Sequence, residues 1–169
     1  MTNFQQSILP NHVNPVRYIL EFSPNLNDFI FLGHETIILN ISKSISEITL
    51  HSSELDIIEA DMSGKTPLIE SNAVDETVTF RFDSELPAGD YALNIKFSGT
   101  LNDRLRGFYR SRYVDSNGTE KFMATTQFEA TDARKAFPCW DEPESKSIFA
   151  VSINLPKELT AISNMPENQ

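Results

Sequence analysis

Apolar and polar residues alternate with a period of two along most of this chain. Val16, Tyr18, Leu20 and Phe22 are interleaved with Arg17, Glu21 and Ser23, and Val78, Phe80 and Phe82 with Thr79, Arg81 and Asp83. Successive side chains of a strand point to opposite faces, so each run predicts a strand with one buried and one wetted side. Tyr91, Leu93, Ile95 and Phe97 repeat the pattern. Residues 29–41 and 147–155 are rich in β-branched residues and apolar on both faces, which predicts strands near a sheet centre, deepest in the core.

Pro24-Asn25, Ser63-Gly64, Pro87-Ala88-Gly89 and Asn117-Gly118 separate these runs with residues suited to reversing the chain. Asn117-Gly118 predicts a tight hairpin joining residues 107–114 to 120–129, with both central residues at positive φ. One short helical turn is expected over residues 131–137, where Ala133, Ala136, Phe137 and Trp140 pack around Asp132, Arg134 and Lys135 and where Thr131 or Asp132 caps the first amides. About eight to ten short strands with so little helix predict an all-β domain, an antiparallel β-sandwich or a saddle-like pair of curved sheets.

At 169 residues and 40% hydrophobic letters the chain can bury one core. A net charge of −10 argues against nucleic acid or an anionic membrane as a partner. No apolar run approaches the ~18 residues of a membrane span. The opening MTNFQQSILP lacks the basic flank and apolar stretch of a signal peptide. The lone Cys139 excludes an internal disulfide and fits a reducing compartment, so the expected localisation is cytoplasmic.

His34-Glu35-Thr36-Ile37-Ile38 begins like the zinc motif H-E-x-x-H but has isoleucine where the second histidine must stand. On a strand, His34 and Glu35 face opposite ways, so no metal role is expected. His12 and His51 are isolated, with no ligand spacing to Cys139. Cys139, between Pro138 and Trp140, reads as a buried packing residue, because a nucleophile needs a base and none is near in sequence. Glu129 with Asp141 or Glu142 has the residue types of a glycosidase pair, but Asp132, Arg134, Asp141 and Glu142 read more simply as ion pairs and caps that fix the turn. Gln127 and Glu129 differ, because positions two apart on a strand share a face. A carboxylate there can bind an ammonium group and the amide can orient its neighbour. A solvated strand end is the plain alternative, and the residues alone leave both readings open.

The run TTQFEATDARKAFPCWDEP (residues 125–143), with GFYRSRY before it, ISNM after it and the opening LPNHVNPVRYILEFSP, resembles the amino-terminal domain of zinc aminopeptidases of the puromycin-sensitive and alanyl type. The resemblance implies a saddle-like all-β unit within a metallopeptidase that removes residues from peptide N-termini. It implies that Gln127 and Glu129 reach the active site and hold the free α-amine and first side chain of the peptide. Asp132, Arg134, Trp140 and Asp141 then form the scaffold that aims them. The family's zinc helix, zinc-ligating glutamate, transition-state tyrosine and G-A-M-E-N loop belong to the next domain, so no catalytic residue and no cofactor is expected in this chain, and the chain alone is expected to be inactive. The expected partners are the peptide N-terminus and the catalytic domain of the same polypeptide.

In relatives the domain runs on for about two further strands past ISNM. Residues 1–169 therefore read as one domain cut before its last strands, with an open sheet edge that favours self-association. A free-standing β-sandwich module binding a protein or carbohydrate is the alternative from another class.

Overall fold

The computed structural model describes residues 8–166. The residues outside that span carry the expectations about a leader and about the chain's end. The described residues form ten strands and one 3-10 turn: β1 (Val13–Asn25), β2 (Ile30–Ile41), β3 (Ile45–His51), β4 (Leu55–Met62), β5 (Leu68–Asn72), β6 (Thr77–Leu86), β7 (Gly89–Thr100), β8 (Gly107–Val114), β9 (Glu120–Gln127), the turn η1 (Ala133–Lys135) and β10 (Ile148–Ile153). They are arranged as a five-stranded sheet in the order β10-β1-β2-β7-β4, a three-stranded sheet β3-β6-β5, and the hairpin β8-β9. The fold is all-β, as the periodicity requires.

One hydrophobic cluster joins the two larger sheets and the segment after η1. Tyr18, Leu20, Phe22, Phe31, Ile37, Leu39, Leu93, Ile95 and Phe97 enter it from the five-stranded sheet, and Ile48, Leu50, Val78 and Phe80 from the three-stranded one. Two cross-strand pairs set the close packing of β2 on β7. Phe31 lies opposite Gly99, and Gly33 opposite Phe97. In each pair the ring covers its glycine so tightly that a Cβ would come within 2.2 Å of Phe97 or 2.4 Å of Phe31.

The alternation in β1 carries one phase error. Val16 is exposed, although Tyr18, Leu20 and Phe22 are buried. The register against β2 shifts between Pro15 and Arg17, and this bulge inserts one residue that reverses the facing of everything before it.

Residues 29–41 supply the central strand β2, as expected, but residues 147–155 do not lie deepest in the core. All six residues of β10 are exposed, with Phe149 at 52% and Val151 at 56%. The strand sits at the sheet edge and pairs in parallel with β1; among the described residues no strand lies on its other side, and its apolar residues remain open. Within these sheets that pairing departs from the antiparallel pattern expected throughout.

The Asn117-Gly118 hairpin also differs from expectation. Only Gly118 has positive φ, at 78°. Asp115 shapes a longer turn: its side chain accepts the amides of Asn117 and Thr119, both at 2.9 Å, and its carbonyl accepts from Gly118 at 3.0 Å. The doubly positive turn instead occurs at Ser63 (55°) and Gly64 (76°), where Met62 and Lys65 close the loop.

Candidate functional site

The β8–β9 hairpin delivers the candidate residues to the surface. Tyr109 pairs with Thr125 and Gly107 with Gln127, the last residue of β9. Gly107 has φ +66°, and a Cβ there would approach Lys135 Cβ to 2.6 Å, so this glycine brings the hairpin base onto η1. Gln127 and Glu129 are both exposed. Glu129 lies past the strand end, however, so strand alternation does not set the two side by side; the chain leaves the ladder at Phe128, and the Glu129–Ala130 peptide is cis. Between them, the ring of Phe128 meets that of Phe137 edge-on, with centroids 6.0 Å apart, and ties the link to the core.

Behind Glu129 the backbone is braced. Asp132 N donates to Phe128 O at 2.9 Å, Ala136 N to Ala133 O at 2.8 Å, and Ser53 N to Arg134 O at 2.9 Å. Asp132, one of the two residues expected to cap the turn, precedes η1 but makes no side-chain capping hydrogen bond. Its carboxylate stands 3.9 Å from Lys135 Nζ. Arg134 is buried, with Nε 3.0 Å from Asp141 Oδ2 and Nη1 3.3 Å from Glu76 Oε2. Glu142 lies outside this network and accepts from Leu9 N at 2.8 Å.

Trp140 and Cys139 are buried, and Cys139 bridges to His51 of β3. Trp140 N donates to the Tyr18 hydroxyl at 3.2 Å. Cys139 exchanges backbone hydrogen bonds with His51, at 2.8 and 3.0 Å, and Asp141 N donates to His51 Nδ1 at 3.2 Å. Burial first, then the nearby Asp141 and Glu35 carboxylates, pushes the Cys139 thiol well up. This disfavours the thiolate a nucleophile requires.

Three members of this cluster carried no sequence signal for their roles. In the sequence His51 stands by itself at a strand end, Glu76 belongs to a turn 58 residues from Arg134, and Glu35 belongs to a failed metal motif. Glu76 also accepts from Ser53 Oγ at 2.9 Å and Lys135 Nζ at 3.2 Å. Burial raises its carboxyl, but these hydrogen bonds and the charges of Lys135 and Arg134 outweigh that effect and hold it below its ordinary value.

His34 and Glu35 are not placed to share one metal ion. His34 is exposed and Glu35 fully buried, so the two occupy opposite faces of β2. Among the described residues no group of three or more His, Cys, Asp or Glu could hold a metal. No described helix is long and apolar enough to cross a membrane.

Fold and segment define an all-β domain that presents a polar amide and carboxylate from a braced turn at the end of a hairpin. Residues 14–169 match the Peptidase M1 N-terminal domain, and the chain belongs to that family. It is 44% identical over 167 residues to Aminopeptidase 2 of Candida albicans, covering 98% of this chain and 18% of the relative. It is 42% identical over 164 residues to Aminopeptidase M1-C of Oryza sativa, covering 95% and 19%. It is 40% identical over 163 residues to the puromycin-sensitive aminopeptidase of Caenorhabditis elegans, covering 93% and 17%. The chain thus spans less than a fifth of the length of these relatives.

Proposed function

We propose that this chain is the amino-terminal part of a zinc-dependent aminopeptidase, where it caps one side of the active-site cleft and supplies Gln127 and Glu129 to recognise the free peptide amine. The observation that carries the reading is the pairing of two exposed side chains, free of hydrogen bonds to the described residues, with a hydrogen-bonded, largely buried support. A recognition carboxylate needs that combination: an open acceptor and a backbone that does not move when the ligand arrives. Glu129 accepts the substrate ammonium and Gln127 orients the first residue. Zinc chemistry comes from a part of the polypeptide outside residues 1–169, and the 169-residue chain alone has no peptidase activity. The parent works in the cytoplasm, a reading the single buried cysteine favours.

The test is Glu129→Ala in an aminopeptidase carrying this domain. Loss of a charge-assisted hydrogen bond lowers kcat/KM by about ten- to a hundredfold on peptides with a free amine. Kinetics equal to the wild type would remove Glu129 from the site.

The open β10 edge and its exposed Phe149, Val151 and Ile153 support self-association of this chain by edge pairing. Sedimentation should show dimers that increase with concentration. A monomer at high concentration contradicts this part of the reading.

A further inference from the structure

Glu76 closes the turn between β5 and β6 with φ +52°, in the left-handed region that favours glycine. What glutamate brings to that position is its carboxylate. Oε1 accepts from Ser53 Oγ at 2.9 Å and from Lys135 Nζ at 3.2 Å, and Oε2 accepts from Arg134 Nη1 at 3.3 Å. The Glu76 carbonyl accepts from Ser52 N at 2.8 Å, which fixes the turn against the link between β3 and β4. Lys135 Nζ also donates to Ser53 Oγ at 3.1 Å and stands 3.9 Å from Asp132 Oδ1. With the Lys135 and Glu76 side chains only 12% and 30% exposed, salt screens this pair far less than a surface pair. One carboxylate thus holds both basic side chains of η1.

Two links run from η1 to the candidate recognition residues. Lys135 N donates to Asp132 O at 3.2 Å and Asp132 N to Phe128 O at 2.9 Å, so the turn that carries Glu129 is closed directly onto η1. Gly107, the ladder partner of Gln127, lies so near that a Cβ there would come within 2.6 Å of Lys135 Cβ and 3.2 Å of Asp132 O. The strand pair that carries Gln127 therefore rests on the same lysine. We propose that Glu76 is a positioning residue for Glu129 and Gln127: by holding Lys135 and Arg134 it fixes η1, and η1 fixes where the amine-binding carboxylate and its neighbouring amide stand. This rests on the recognition reading of Glu129. Glu76 itself does not touch substrate, and it acts because a displacement of about 1 Å in a binding group can cost up to about a hundredfold in rate.

A double-mutant cycle tests this in an aminopeptidase carrying this domain, with an aminoacyl arylamide bearing a free α-amine as the probe. Glu76→Gln keeps the volume of the side chain and removes its charge. Alone it should lower kcat/KM by about three- to thirtyfold. Combined with Glu129→Ala it should add less than about twofold to the loss that Glu129→Ala causes, because the residue it positions is already gone. A merely structural role would multiply the two losses. If Glu129→Ala lowers kcat/KM and the Glu76→Gln loss is the same in both backgrounds, or if Glu76→Gln matches the wild type, the positioning role is overturned while the recognition reading stands. Wild-type kinetics in Glu129→Ala overturn both. Lys135→Gln, which removes the other half of the pair, runs the same cycle with the same outcomes if Glu76→Gln does not fold.

Discussion

Gly33 and Phe97 face each other across the β2–β7 ladder with no space between ring and backbone. Gly33→Ala therefore forces the ring out of a filled core, and overpacking of this kind costs about 1–3 kcal/mol. Urea denaturation should show a lower midpoint with an unchanged slope. The same scale shows where single letters mislead. Alternation places His34 and Glu35 on opposite faces, yet nothing in the letters shows that the inward face leaves Glu35 without a hydrogen-bond partner among the described residues. Gln127 and Glu129 were legible as a candidate pair, but their shared strand face was not realised because β9 ends at Gln127.

At the level of elements, η1 depends on Arg134 more than on any cap. The Arg134 and Asp141 side chains are 5% and 12% exposed. Arg134→Ala leaves a nearly buried carboxylate without its cation, a loss of about 3–5 kcal/mol. Thermal unfolding should register it, and local exchange at residues 133–141 should rise first. Glu76 links the β5–β6 turn to η1, and its carboxyl is held below the ordinary value. A depressed value gives stability that is present above the unfolded value and lost as pH falls through the folded one. Glu76→Gln should therefore flatten the acid limb of the stability profile below about pH 4.5, measured by denaturation against the wild type. The helical turn was legible from the spacing of its apolar residues, whereas its partner in a turn 58 residues away was not.

Across the whole molecule the two carboxylates oppose each other. Glu76 contributes stability that acid removes, and Glu35, whose carboxyl burial holds well above its ordinary value, contributes stability that alkali removes, so both coexist only between those limits. The all-β class and the strands around Tyr18, Phe80 and Ile95 followed from the sequence alone, because a period of two and turn chemistry act within a few residues. The resemblance carried by residues 125–143 likewise needed only local letters, and it agrees with the family assignment. The tertiary structure alone decided the rest. It put β2 at the centre and β10 at an open edge, although both runs are equally apolar, because strand order is set by long-range pairing. It joined Glu76 to Arg134 and His51 to Cys139, and it sealed Glu35 in the core, since burial and partnership depend on what folds over a residue.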